Sequence, residues 1–181
     1  MYPYLRMWRG IAAAKRGPKL GLWETSVSHH RIWPVDIDIW MELNNGRTLT
    51  IYDLGRLPFS YRIGMAEALK EKGWGMTVAG STTRYRRRVR PFERVELRTR
   101  SAGWDARFMY VEQSMWNAAG EAANAALLRM AVVGPSGIVP PAEVVAAMGQ
   151  DPTSPPLSDW VRAWVTAEEA RPWPPMQEAA G

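Results

Sequence analysis

Trp33-Pro34-Val35-Asp36-Ile37-Asp38-Ile39-Trp40-Met41-Glu42-Leu43-Asn44-Asn45-Gly46-Arg47 is the stretch on which the reading of this chain turns. Upstream of it, residues 27–35 read as a strand of Val, Ile and Trp that closes near Pro34. Downstream, Ile51, Leu54, Leu57 and Tyr61 fall three or four apart, the spacing of one buried helical stripe. Asn44 or Asn45 is a natural N-cap, because its amide oxygen can accept from free backbone N–H groups one turn in. Pro58 should kink this helix or start a new one. A second, shorter helix is expected over residues 65–72, ending at Gly73, a suitable C-cap.

Four strand-like segments follow. Residues 74–89 form the first, bent near its Gly and Thr residues. Residues 94–101 alternate cleanly, with Val95, Leu97 and Thr99 facing one way and Arg94, Glu96, Arg98 and Arg100 the other. A turn at Gly103-Trp104-Asp105 precedes a strand over 107–116. Residues 121–133 are alanine-rich and helical by propensity, but the turn Asn117-Ala118-Ala119-Gly120 before them points to a hairpin and a strand. The order is strand, long helix, then four strands. That is an α+β layer arrangement, one helix against an antiparallel sheet of about five strands. The remainder is a tail: a short helix over 142–148, a linker with Pro152, Pro155 and Pro156, and a helix whose Leu157, Trp160, Val161, Trp164 and Val165 share one face. From Pro172 onward the chain reads as disordered. The organisation expected is a basic N-terminal arm over 1–25, a main domain over 26–149 and a Pro-rich tail over 150–181.

Composition narrows the chemistry. The chain has 181 residues, 46% hydrophobic and 23% charged, enough apolar side chain for one core. It has no cysteine, which removes disulfides, thiolate nucleophiles and cysteine-ligated metals, and fits a reducing, cytoplasmic setting. Its net charge of +5 favours anionic partners: nucleic acid, anionic lipid or a polyanionic metabolite such as coenzyme A. Residues 1–19 are basic and aromatic, with too short an apolar run for a signal peptide. They read as an arm packed on its own domain, with a peripheral membrane contact as the alternative. Gly134-Pro135-Ser136-Gly137 lacks the glycine spacing of a nucleophile elbow, and Gly73-Trp74-Gly75 lacks the third glycine of a dinucleotide fingerprint. His29 and His30 are adjacent in a strand, face opposite sides and cannot chelate one metal together.

The opening stretch can carry chemistry. A helix start offers unpaired N–H groups and partial positive charge, which polarise a carbonyl placed there; a nearby carboxylate can act as base or nucleophile. An Asx turn and N-cap with no chemistry accounts for the same residues. The stretch resembles the signature of the 4-hydroxybenzoyl-CoA thioesterase family: Asp-x-Asp, a Gly-His or similar pair, then Asn-Asn before the central helix. The likeness is greatest to its thioesterase-like (THEM6-like) branch. It continues through Tyr52-Asp53-Leu54-Gly55-Arg56, Gly73-Trp74, Arg84-Tyr85-Arg86-Arg87, Gly103-Trp104-Asp105 and Val139-Pro140-Pro141-Ala142-Glu143, covering about residues 26–149.

The resemblance implies a hot-dog fold and an acyl-CoA thioesterase that needs no metal or redox cofactor. Asp38 matches the family's catalytic carboxylate, and Asn44 and Asn45 match the pair opening the helix. Met41 stands where glycine is usual and Glu42 where histidine is usual. Met41 would narrow the loop beside the thioester, and Glu42 would replace Asp38 as base or mark a changed activity. Gly46, Arg47, Arg84, Arg86 and Arg88 are the expected substrate contacts. In a strand, Arg84, Arg86, Arg88 and Arg90 would share one face, either a solvated surface or a cradle for coenzyme A phosphates. Two alternatives stay open: a non-catalytic module binding acyl-CoA or acyl carrier protein, and a basic nucleic-acid-binding protein, the less favoured. A homodimer or dimer of dimers is expected, since open sheet edges are usually paired or covered.

Overall fold

The computed structural model describes residues 2–176. In chain order the elements are α1 (Tyr4–Arg16), β1 (Ser26–Arg31), a 3-10 turn (Pro34–Asp36), α2 (Asn45–Arg62), α3 (Met65–Lys72), β2 (Gly75–Tyr85), β3 (Arg94–Trp104), β4 (Met109–Trp116), β5 (Ala122–Gly134), β6 (Gly137–Val139), α4 (Pro141–Ala147) and α5 (Asp159–Glu169). The strands form one antiparallel sheet in the order β1-β3-β4-β5-β2, with the three-residue β6 folded back on β5. The sheet curls around α2, so the hot-dog architecture expected from the sequence is the one observed.

α2 is buried on more than the one stripe that its Leu and Ile spacing announces. Ile51, Tyr52, Leu54, Gly55, Arg56, Pro58 and Phe59 are all buried, because the sheet covers one side and α1 the other. Gly55 marks the closest approach to the sheet: a Cβ there would stand 3.0 Å from Thr99 Oγ1. Gly10 does the same where α1 meets α2, with its missing Cβ 3.1 Å from Pro58 Cγ. Pro58 does not start a new helix; α2 runs through it to Arg62 and stops where Gly64 takes a left-handed conformation. Gly73 caps α3 in the same conformation, as its position suggests.

β5 is the alanine-rich segment, and it is a strand. It pairs with β2 and β4, and both of its faces are covered. Small side chains suit a strand with α2 on one side and α5 on the other. α5 docks on its own sheet: Val161 is fully buried against Tyr110 and Leu127, with Leu157, Trp164 and Val165 around it. β1 ends at Arg31 rather than 35, β2 ends at Tyr85 rather than 89, and the β3–β4 turn begins at Asp105, whose carboxylate accepts the Arg107 and Phe108 N–H groups. Of the end expected to be disordered from Pro172, residues 177–181 lie outside the described residues, as does Met1.

Candidate functional site

Two loops lie side by side at the end of the molecule where α2 begins. The Leu43 N–H donates to Val89 O (2.8 Å), the Ile32 N–H to Glu93 O (2.9 Å) and the Phe92 N–H to Ile32 O (2.7 Å). These bonds account for the early end of β2: after Tyr85 the backbone turns toward the loop ahead of α2, with the Arg86 and Arg87 N–H groups both donating to Ala123 O.

Asp36 is the anchor of this end. It is fully buried. Its Oδ1 accepts from Arg47 Nε (3.2 Å) and Nη2 (2.6 Å); its Oδ2 accepts from Arg6 Nη1 (3.0 Å) and the Trp33 N–H (3.1 Å). Its own carbonyl accepts the Asn44 N–H. One carboxylate therefore ties the N-terminal helix, the loop and the start of α2 together. Burial by itself would raise its pKa; the Arg47 guanidinium, the Trp33 N–H and Arg6 outweigh burial and hold the carboxyl below its usual range.

Asp38 and Glu42 flank a tight turn. The Asp38 N–H donates to Glu42 O, the Met41 N–H to Asp38 O, and Ile37 bridges Leu43. The Trp40 N–H donates to Asp38 Oδ1 (2.9 Å), so Asp38 closes the turn. The N–H groups at the start of α2 are served by Asn44 instead: its Oδ1 accepts from Gly46 N (2.9 Å) and Arg47 N (3.2 Å). Met41 takes a left-handed backbone, φ +58°, the conformation that glycine adopts most easily at such a place. Its side chain is exposed, so it does not narrow a channel beside the helix.

A pocket of ≈ 260 Å³ opens at the first turn of α2, lined by Glu42, Asn45, Thr48, Tyr85, Arg86–88 and Asn124 among others. Of the residues anticipated from sequence, the structure brings together Glu42, Asn45, Arg86 and Arg88. Glu42 Oε2 and Arg88 Nε pair at 3.0 Å. Gly46 and Arg47 are drawn to the Asn44 cap and Asp36. Arg84 lies elsewhere: it lines a separate groove of ≈ 780 Å³ with Arg98, Arg100, Trp116 and Trp160 on the α5 side of the sheet. The single arginine face expected over residues 84–90 is thus divided, because alternation holds only while the strand lasts. Thr48 and Asn124 were not anticipated, and Tyr85 only as part of the Arg84-Tyr85-Arg86-Arg87 motif, without a role in the site. Asn124 had a legible signal, a lone amide in an Ala, Leu and Met strand. It accepts the Tyr52 hydroxyl at 2.6 Å, and burial pushes that phenol well above its usual range. The Tyr85 hydroxyl donates to Asn45 O (3.3 Å).

The histidines are apart from this pocket. His29 is exposed and faces Glu96 (3.4 Å), while His30 points inward beside Ser28. Among the described residues no cluster of His, Asp and Glu could hold a metal ion, and no helix is long and apolar enough to cross a membrane.

A family model described as the Thioesterase-like superfamily matches residues 32–165. The chain is 36% identical over 118 residues to Protein THEM6 of Xenopus laevis, covering 65% of this chain and 55% of that protein. It spans about half the length of the curated relatives it matches. Among solved structures it resembles a DHNA-CoA thioesterase from Staphylococcus aureus, with a TM-score of 0.60 and 14% identity over 80% of this chain and 91% of that one. It also resembles the S. aureus protein SAV2348, solved in complex with CoA, with a TM-score of 0.62 and 10% identity over 79% of this chain and 95% of that one. At such identities the structural likeness is one of fold.

Proposed function

The chain belongs to the thioesterase-like superfamily, and from that premise we propose that it hydrolyses an acyl-CoA thioester at the pocket beside the first turn of α2. The observation that carries this reading is the convergence, in one pocket, of a carboxylate at Glu42, the start of a helix at Asn45 and the arginines 86–88. Each supplies what the reaction needs. Arginine forks suit the phosphates of coenzyme A. Amide donors of Asn45, at the positive end of α2, suit an oxyanion. The Glu42 carboxylate takes a proton from water, whose oxygen attacks the carbonyl carbon; the C–S bond then breaks and the departing thiolate takes the proton. Asp38, placed by resemblance as the base, holds the turn that presents Glu42.

The second reading, a module that binds acyl-CoA or acyl carrier protein without hydrolysis, is favoured by two contacts: Arg88 already engages Glu42 and the Trp40 N–H already engages Asp38. Release of free thiol from a panel of acyl-CoA esters separates the two. With hydrolysis established, Glu42→Gln should lower turnover by about a hundred- to ten-thousand-fold. Asp38→Asn, which keeps an acceptor for the Trp40 N–H, should lower it far less. The reverse order would return the base to Asp38, and no thiol release from any ester would favour the binding module. Pairing between two copies through β2, which has β5 on one side only, is part of the same proposal.

A further inference from the structure

The end of the molecule that carries the pocket also concentrates exposed apolar side chains. Trp33, Val35, Ile39, Trp40, Met41 and Phe92 are 42, 68, 86, 70, 65 and 55% exposed. They belong to the two loops that the Leu43–Val89 and Phe92–Ile32 hydrogen bonds join, and Trp33 and Phe92 meet edge to face. Three of them are consecutive: Ile39, Trp40 and Met41 stand at the tip of the Asp38–Glu42 turn. That tip is not loose chain. The Asp38–Glu42 and Met41–Asp38 backbone bonds, the Asp38 side chain and the Ile37–Leu43 bridge fix it, and Ile37 packs on the core. A turn so well bonded, with a large apolar side chain at every tip position, holds those side chains in water at a cost that a partner must offset.

The surrounding charge says what kind of partner. Arg31 lies over the Trp33 ring, and Arg86 and Arg90 stand exposed in the adjoining loop; among the described residues none of the three makes an ion pair. The nearby acids are engaged: Glu42 by Arg88, Glu121 by Arg87, Glu93 by the Arg90 N–H and Asp38 by the Trp40 N–H. We infer that this end docks on an anionic lipid surface, with Ile39, Trp40 and Met41 entering the headgroup–acyl boundary and the arginines meeting the headgroups. Tryptophan and arginine beside aliphatic side chains are the composition of interfacial segments, and each arginine near an anionic leaflet adds to binding. A second copy seated tip to tip is a poorer occupant: such a two-fold contact sets each patch against itself and brings the exposed Arg86 and Arg90 toward their own equivalents. α1 packs on α2 through Ile11 and Ala14, while Tyr4, Leu5 and Trp8 on its other face stay exposed, so the N-terminal arm can add to the same contact and the tip variants below read the tip's own share. None of this depends on hydrolysis. Where hydrolysis holds, the pocket opens beside the bilayer, because Glu42 adjoins the tip.

Sedimentation with vesicles tests it, using the full chain with phosphatidylcholine alone and with a phosphatidylcholine–phosphatidylserine mixture. The wild type should bind the mixed vesicles in preference to the neutral ones, less so as salt rises. Ile39→Ser with Trp40→Ser should lower vesicle partition by roughly ten-fold or more, with circular dichroism and light-scattering mass unchanged, since both side chains are exposed. Three outcomes overturn the inference: wild type that binds neither vesicle, a double variant that binds as the wild type does, or a double variant whose mass changes, which would make the tip a contact between copies.

Discussion

Asp36 and Glu42 stand six residues apart and live in opposite surroundings. Asp36 is sealed from water and its two oxygens accept from two arginines and a backbone N–H. Glu42 sits half-buried at a pocket mouth, with one arginine whose own side chain is mostly in solvent. The difference shows where a carboxylate builds structure and where it is left available. An ion pair taken wholly out of water stabilises only if every lone pair is met, and removing one partner then strands the others. A pair open to solvent contributes little to stability and can be rearranged by a ligand.

Removing Asp36 tests the first half of that contrast. Asp36→Ala leaves the Arg6 and Arg47 guanidinium groups without their carboxylate and unties α1 from the loop. A loss of about 3–5 kcal/mol is expected, read as a lower urea midpoint. Glu42→Gln measured beside it should change stability by less than about 1 kcal/mol. Equal losses would mean that both carboxylates are structural and would remove Glu42 from the chemistry.

His30 reports on the same anchor from outside. Burial, then the charges of Arg6 and His29, lowers its pKa from 6.5 to about 4. Between those values the unfolded chain takes a proton that the folded chain refuses. The folded state is therefore fully favoured above pH 6.5 and loses up to about 3 kcal/mol as pH falls toward 4. Asp36 does not share this window, because its folded pKa lies below the usual 3.8 and its contribution is lost only in stronger acid. Melting temperatures taken from pH 7.5 down to 4.5 should fall for the wild type and fall less for His30→Gln. Arg6→Gln should also flatten the slope, since it removes a charge that depresses His30. A slope unchanged in both variants would place the acid sensitivity elsewhere.

What could be read from the sequence were features set by neighbours in the chain. Asn44 as cap, Gly73 as helix stop and the hairpin that makes residues 122–134 a strand depend on a few adjacent residues. The division of labour among Asp36, Asp38 and Glu42 does not. It is decided by Arg6, 30 residues before Asp36 in the chain, and by Arg88, which reaches Glu42 only because the Leu43 N–H binds Val89 O. The arginine run misled for the same reason: its alternation is correct for a strand, but those long-range bonds end β2 at Tyr85.

The smallest expected effect lies at Met41, between the two carboxylates. A residue with a Cβ at φ +58° pays about 1 kcal/mol relative to glycine, and an exposed Met side chain returns little packing. Met41→Gly relieves that strain but gives the unfolded chain more freedom to lose, which offsets part of the gain. A net stabilisation of at most about 1 kcal/mol is expected, seen as a higher urea midpoint at unchanged slope. The informative measurement is vesicle binding by the same variant. If the turn is kept apolar for a lipid surface, the more stable glycine protein should bind mixed vesicles several-fold less well, because it loses one of three inserting side chains. If Met41→Gly is more stable and binds equally well, the strain at this position serves something other than the membrane. If it is less stable, the Met side chain makes a contact in solution, and the tip then belongs to the folded core or to a second copy rather than to lipid.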